Sequence, residues 1–272
     1  MYFFLLFLSL LLVSSISKQY DKKQSEICVR LSAAAYCEED IYPTMKFDGP
    51  ASEFILTDTI YSYKTDMLGF VGIIHELKTI YVSFRGSSSL MNWMDDFEIK
   101  KVPYTTFLPE CERCMVHNGF FITALSVRNQ TVDSIKRLKR SYPKYEIICT
   151  GHSLGASIAQ LISMELNHLN YNSSVYNYGQ PRVGDVRFSE FVNKKIEGFW
   201  RFSHNRDIVV HIPIGSLQYY HSCGEVFEDE YGNLGICSDI DCEDIHCAEK
   251  FSLQQTNSQD HMIYLKYPID CL

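Results

Sequence analysis

The sequence predicts an α/β domain with a largely parallel central sheet and helices on both of its faces. Three observations carry this. After residue 115, short apolar runs alternate with longer stretches of helical spacing, the pattern of strands joined through crossover helices. Residues 145–155 read Tyr-Glu-Ile-Ile-Cys-Thr-Gly-His-Ser-Leu-Gly, an apolar run that delivers Ser153 into a glycine-flanked turn. The 272 residues show no internal repeat, low-complexity linker or abrupt change of composition, so a single domain with a substantial core is expected.

Residues 1–17 read as a secretory signal: 2–13 is almost wholly apolar yet short for a bilayer span, and Ser15 and Ser17 supply small residues for cleavage. Residues 18–272 then form the domain. Residues 22–36 predict an opening helix with Ile27, Leu31, Ala34 and Ala35 on one side. Strand-like runs follow at 59–63, 69–75 and 79–84. Residues 120–140 have helical spacing through Phe121, Ala124, Leu125, Val132, Ile135 and Leu138, and Pro143 ends that helix. Then come the strand before Ser153, a helix over 156–169, a strand at 174–178, a helix over 186–196, and strands at 199–203 and 262–267. In such a sheet, ligands gather beyond the carboxyl ends of the parallel strands.

The net charge of −8 argues against nucleic acid and against electrostatic attraction to an anionic membrane, which leaves apolar contact as the means of meeting a lipid surface. Ten cysteines fit an oxidising compartment. Cys111 and Cys114 stand at Cys-X-X-Cys spacing without a second ligand pair at zinc spacing, which favours a small disulfide. Cys149 lies inside the strand before Ser153 and reads as a buried thiol. Asn129-Gln130-Thr131 and Asn172-Ser173-Ser174 are glycosylation sequons.

Gly151-His152-Ser153-Leu154-Gly155 is a Gly-X-Ser-X-Gly nucleophile elbow. A serine hydroxyl is a weak nucleophile and needs rigid presentation beside a base. The helix after the turn also directs free amides toward a developing oxyanion. In the α/β-hydrolase order an acid and then a histidine follow the serine. Asp207 leaves the strand 199–203 through a short loop, whereas Asp229, Asp239 and Asp241 lie in a polar, cysteine-bearing stretch with no core strand expected before them. Of His211, His221, His246 and His261, the first is too near Asp207 to swing independently, and His261 sits on a loop from which it can reach both partners. His152, within the elbow, suits packing or hydrogen bonding. An oxyanion hole needs a donor beyond the Leu154 amide. Ser87, in Phe84-Arg-Gly-Ser-Ser-Ser89, offers its amide and its hydroxyl. Leu90, Trp93, Met94 and Phe97 then fall on one helical side, with Asn92, Asp95 and Asp96 opposite. Directly after the oxyanion loop, that pattern reads as a short helical lid that turns outward at a lipid interface.

These motifs resemble the fungal-type (class 3) triacylglycerol lipases. The matching segments are Ser32-Ala-Ala-Ala-Tyr-Cys37, Phe84-Arg-Gly-Ser-Ser-Ser89 with Asn92-Trp93, His117-Asn-Gly-Phe120, Thr150-Gly-His-Ser-Leu-Gly155, Tyr178-Gly-Gln-Pro-Arg-Val-Gly184, Arg206-Asp-Ile-Val209 and Asp260-His261. The resemblance implies a triad of Ser153, Asp207 and His261, an oxyanion hole from Ser87 and Leu154, Asp96 bracing Ser87, and a lid around Trp93. It further implies disulfides Cys37–Cys271 and Cys111–Cys114. Cys223, Cys237, Cys242 and Cys247 would form two more, with the pairing open, as is the state of Cys28. The chain departs from the family at Ala156, where a second glycine is usual, and at Val210, where a proline is common.

The expectation is a secreted hydrolase of lipid esters, active at a lipid–water interface and requiring no cofactor, metal or obligate protein partner. Within the same chemistry, the alternatives are a phospholipase or galactolipase and a lidless esterase of soluble aryl, feruloyl or polysaccharide esters. The apolar helix over 90–97 speaks against the last. A non-catalytic lipid-binding module is the alternative of a different class, and the intact serine–acid–histidine order argues against it.

Overall fold

Strands that are apolar on both faces need a cover on each side, and that requirement organises the molecule. The computed structural model describes residues 19–47, 49–87, 99–104, 110–240 and 242–271. The first three strands, β1 (Ile55–Ser62), β2 (Met67–Ile74) and β3 (Thr79–Phe84), form an antiparallel meander. β4 (Lys101–Pro103) and β5 (Met115–His117) pair in a separate ribbon. β6 (Glu146–His152), β7 (Ser173–Tyr178), β8 (Phe199–His204) and β9 (Glu225–Glu228) continue from β3 as parallel neighbours, and β10 (Leu234–Ile236) closes the edge antiparallel to β9.

Helix α1 (Lys22–Ala34) starts on Asp21, whose side chain accepts from the Gln24 amide. It covers one face, packing Ile27, Val29 and Leu31 into a cluster with Tyr81, Ile148, Tyr178 and Phe202. Helices α2 (Asn118–Ser141), α3 (Leu154–His168) and α4 (Val186–Lys195) supply Phe120, Ile158, Ile162 and Phe188 to the opposite cluster, with Val82, Phe84, Cys149 and Val175. Successive residues of β3 and β6 thus belong to different cores: Tyr81 and Ile148 to one, Val82 and Cys149 to the other. This is the α/β-hydrolase architecture expected from the sequence.

Two expectations need correcting. Residues 262–267 are not one strand but a hairpin of β11 (Ile263–Tyr264) and β12 (Tyr267–Pro268). Leu265 and Lys266 make its turn with φ of 51° and 68°, a left-handed pair whose side chains carried no glycine or asparagine signal. The polar stretch after residue 220 does hold sheet strands, the buried β9 and the exposed edge strand β10, so Asp229 follows a sheet strand. The strand was masked because Glu225 and Glu228 are buried charges. Glu225 is satisfied by Arg201, and Glu228 accepts from the Leu265 amide at 2.7 Å.

The disulfides are Cys37–Cys271, Cys111–Cys114, Cys223–Cys242 and Cys237–Cys247, which resolves the open pairing. Cys28 and Cys149 are buried thiols. The signal segment 1–17 lies outside the described residues, as do Leu90, Trp93, Met94, Phe97 and Asp96 of the expected lid and brace.

Candidate active site

The parallel strands β3, β6, β7 and β8 end on one side of the sheet, and the turns beyond them bring the candidate residues together. At the end of β6, Ser153 has φ 58° and ψ −127°, a conformation that costs a non-glycine residue roughly 1–3 kcal/mol and must be imposed by its surroundings. The Ser153 amide donates to the Tyr178 carbonyl at 3.0 Å. A Cβ on Gly151 would fall 2.4 Å from the Gly155 backbone, and one on Gly155 would fall 2.2 Å from the Phe84 carbonyl oxygen. Any side chain at either position would therefore force the turn apart.

Asp207 leaves β8 as expected and is completely buried. His261 lies in the turn Asp260–Met262 and donates from Nδ1 to Asp207 Oδ2 at 2.8 Å. The Val209 amide donates to Asp207 Oδ1 at 2.7 Å, and the Tyr264 hydroxyl donates to Oδ2. Burial pushes the Asp207 carboxyl upward, but His261 and these hydrogen bonds together hold it below the ordinary carboxylate range. Burial and Asp207 keep the Tyr264 hydroxyl protonated far above its ordinary range, so it remains a donor.

Ser153 Oγ and His261 Nε2 are both buried and make no hydrogen bond among the described residues. Both residues line a pocket of about 510 Å³ with Ser87, Tyr36, His152 and the apolar Met262, Ile263, Pro268 and Ile269. Leu154, the first residue of α3, is partly buried beside the core.

The pattern of class 3 lipases matches residues 81–216. The secreted mono- and diacylglycerol lipase A of Penicillium cyclopium is 30% identical over 235 residues, covering 80% of this chain and 74% of that protein. The chain belongs to the class 3 lipase family. The lipase of Rhizopus niveus is 31% identical over 248 residues, 86% of this chain and 61% of its own. The Rhizomucor miehei lipase in its propeptide complex superposes with a TM-score of 0.82 at 29% identity, covering 90% of this chain and 80% of that one. A triacylglycerol lipase described as having a serine protease triad at its catalytic centre also gives 0.82, at 28% identity over 91% of this chain and 95% of its own. This lipase-family chain is a carboxylic ester hydrolase.

The other candidate histidines of the lipase are placed differently. His211 is buried between the carbonyls of Asp207 and Ala248, His221 faces the Val210 carbonyl, and His246 is exposed. Asp229 accepts from the backbone and side chain of its own turn. Asn129 and Asn172 of the two sequons are exposed.

Sequence reasoning missed several contacts around His261 and Asp207 in this lipase. His152 Nε2 lies 2.8 Å from the His261 carbonyl, which can only accept, so Nε2 carries the proton and Nδ1 accepts from the Tyr36 hydroxyl at 2.7 Å. Burial and the neighbouring His261 hold His152 well below the ordinary histidine range, so it stays neutral. Gly179, with φ +55°, presents its Cα to the triad candidates. A Cβ there would fall 2.7 Å from His261 Cε1, 2.8 Å from its Nδ1 and 3.0 Å from Asp207 Oδ2. Asp260 Oδ2 accepts from Asn205, the Arg206 amide and Asn257, each at 3.0 Å, tying the histidine turn to the aspartate loop. Tyr264, three residues after His261, was hidden inside what read as a plain strand. Gly179 stood in a recognised motif but without a stated role.

Proposed function

We propose that this chain is a secreted lipase that hydrolyses the carboxylic ester bonds of triacylglycerols through an acyl-enzyme on Ser153. The observation that carries this reading is the pair of unpartnered buried atoms, Ser153 Oγ and His261 Nε2, facing one pocket, with the far nitrogen of that histidine bonded to Asp207. Nδ1 holds its proton against the carboxylate, so Nε2 is left as the base that takes the proton from Ser153 as its hydroxyl attacks the ester carbonyl. Asp207 stabilises the imidazolium, and the amides of Ser87 and Leu154 receive the oxyanion. His261 then protonates the departing glycerol oxygen, and water resolves the acyl-enzyme by the same route.

Secretion is supported by the four disulfides among the described residues and by relatives named as secreted. In this reading residues 1–17 are the signal, Asn129 and Asn172 accept glycans, Asp96 braces Ser87, and Leu90, Trp93, Met94 and Phe97 form the lid. The large apolar side chains of that lid are worth about 1.5–3 kcal/mol each when buried, enough for two or three of them to tip a lid equilibrium at an interface.

Capture of a radiolabelled fluorophosphonate at Ser153, with rates on tributyrin, a long-chain triglyceride, phosphatidylcholine and a soluble nitrophenyl ester, tests the reading. Labelling at Ser153 and a disproportionate rise on tributyrin above its solubility limit are expected. Absence of labelling, or a preference for the soluble ester with no such rise, rejects it. The kinship with a mono- and diacylglycerol lipase favours one second reading, preference for partial glycerides, which dibutyrin against tributyrin decides.

A further inference from the structure

One side of the Ser153 pocket is built by residues 268–270. Pro268, Ile269 and Asp270 line it, and the next residue, Cys271, is bonded to Cys37. Cys37 in turn follows Tyr36, which lines the same pocket. Asp270 thus stands on the rim, and the disulfide ties its neighbour Cys271 to Cys37, which Glu38-Glu39-Asp40 follow directly in the sequence. All four carboxylates are exposed. Asp270 is held in place: Ile269 before it is buried, with its amide donating to the Met262 carbonyl at 2.9 Å, and Cys271 after it is cross-linked.

Nothing on the described lining offsets that charge. No lysine or arginine is among the described lining residues. Arg85, two positions before Ser87, is paired with Asp66 at 2.8 Å, and Arg30 lies 5.1 Å over the Tyr267 ring. A concave site with apolar walls and charge of one sign on its rim focuses the field that an entering group meets.

We propose that Asp270, together with Glu38, Glu39 and Asp40, is an electrostatic filter that confines this site to uncharged acylglycerols and turns away esters bearing an anionic headgroup. The inference deepens the lipase reading and rests on it. A neutral glyceride gains from Met262, Ile263, Pro268 and Ile269 by apolar burial and has no net charge to oppose. A phosphodiester brought to the same place loses hydration, finds no cation among the described lining residues and is repelled by the rim.

The test compares kcat/KM for dihexanoylphosphatidylglycerol and tributyrin, each kept below the concentration at which it aggregates, so that surface charge plays no part. Dihexanoylphosphatidylcholine serves as the control for headgroup size. Asp270→Asn should raise the phosphatidylglycerol-to-tributyrin ratio roughly 3–10-fold, the effect of removing one nearby charge in a partly screened site. Adding Glu38→Gln, Glu39→Gln and Asp40→Asn should raise it further, with a smaller change for phosphatidylcholine. In the unaltered enzyme, salt near 1 M, where the Debye length is about 3 Å, should move the ratio toward that of the fourfold variant. A ratio that stays within about twofold across variants and salt overturns the filter, as does a rise produced only by loss of tributyrin hydrolysis. If the unaltered protein does not hydrolyse tributyrin even as an emulsion, the lipase reading fails and takes the filter with it; an insensitive ratio in an active enzyme removes the filter alone.

Discussion

Around Arg182 every guanidinium nitrogen has a partner. Nε and Nη2 meet the Glu243 carboxylate at 2.8 and 2.6 Å, Nη1 reaches the carbonyls of His211 and Pro213, and Nη2 also reaches Glu249. Arg201 nearby is likewise taken up by Glu225 and by the carbonyls of Ser222 and Cys242, and the disulfides Cys223–Cys242 and Cys237–Cys247 stitch the same segment. In the Ser153 pocket the burial is as deep, but Ser153 Oγ and His261 Nε2 have no partner among the described residues. A buried polar group without a partner is costly, and native proteins keep few of them. The fully paired guanidinium groups therefore read as scaffold for the C-terminal segment, although His221 Nδ1 beside them has no partner among the described residues, and the Ser153–His261 pair, which also lines a pocket, as a place kept for a reacting group.

If that contrast is right, the two regions must fail in different ways. The largest effect is expected for Ser153→Ala, which should lower ester turnover by at least about 10⁴-fold while leaving the melting temperature near that of the parent. Asp207→Asn should lose about as much, because it favours the wrong imidazole tautomer. Substantial activity in purified Ser153→Ala protein would end the distinction at once.

Arg182→Ala should show the reverse pattern. Taking the cation away from Glu243 and Glu249 removes one half of a largely buried ion cluster, a change that costs about 3–5 kcal/mol of stability. Thermal unfolding should come much earlier, with the turnover of the folded fraction far less affected. A normal melting temperature with lost activity would place Arg182 in the chemistry instead.

Gly179→Ala sharpens the comparison by perturbing placement alone. The new methyl presses on the His261 ring and the Asp207 carboxylate, and a displacement of about 1 Å is enough to cost roughly 10²-fold in turnover. The loss should appear in kcat rather than in KM, and labelling of Ser153 by fluorophosphonate should slow in parallel.

The smallest effect is in the pH dependence of stability, where each region contributes one histidine. Burial, reinforced by the charges of Arg201 and Arg182, holds His221 well below the ordinary histidine range, and burial with His261 does the same for His152. Both are neutral when folded and take up a proton when unfolded below about pH 6.5. Their contribution is thus complete above that pH and is lost as the pH falls below it, at up to about 1.4 kcal/mol per pH unit for each proton. Melting curves from pH 4 to 8 should show this decline, and His221→Gln should make it shallower. An unchanged slope would show that His221 does not titrate on unfolding.

The helix starts and the strand runs were legible wherever one residue's neighbours in the sequence are also its neighbours in space. The strand expected at 79–84 is Thr79–Phe84, and the one expected at 199–203 extends only to His204. β9 was not legible because its buried carboxylates are satisfied from outside the strand, Glu225 by Arg201 in β8 and Glu228 by the Leu265 amide, 37 residues away in the chain. The 262–267 hairpin was not legible because its left-handed turn is built on leucine and lysine, with the Leu265 amide held by the distant Glu228 rather than by local turn chemistry.

By itself, the sequence determined the alternation of strands and helices, the glycine-flanked turn at Ser153 and the order serine, acid, histidine, because these depend on spacing along the chain. Only the tertiary structure decided that His261 turns Nδ1 to Asp207, that Tyr264 completes that carboxylate, and that His152 and Tyr36 hold the His261 backbone. It alone paired Cys223 with Cys242 and Cys237 with Cys247, and set Asp270 beside the pocket. These contacts join residues far apart in sequence at hydrogen-bonding or covalent distance, where a shift of an ångström makes or breaks the bond. Periodicity and motif spacing carry no information at that scale.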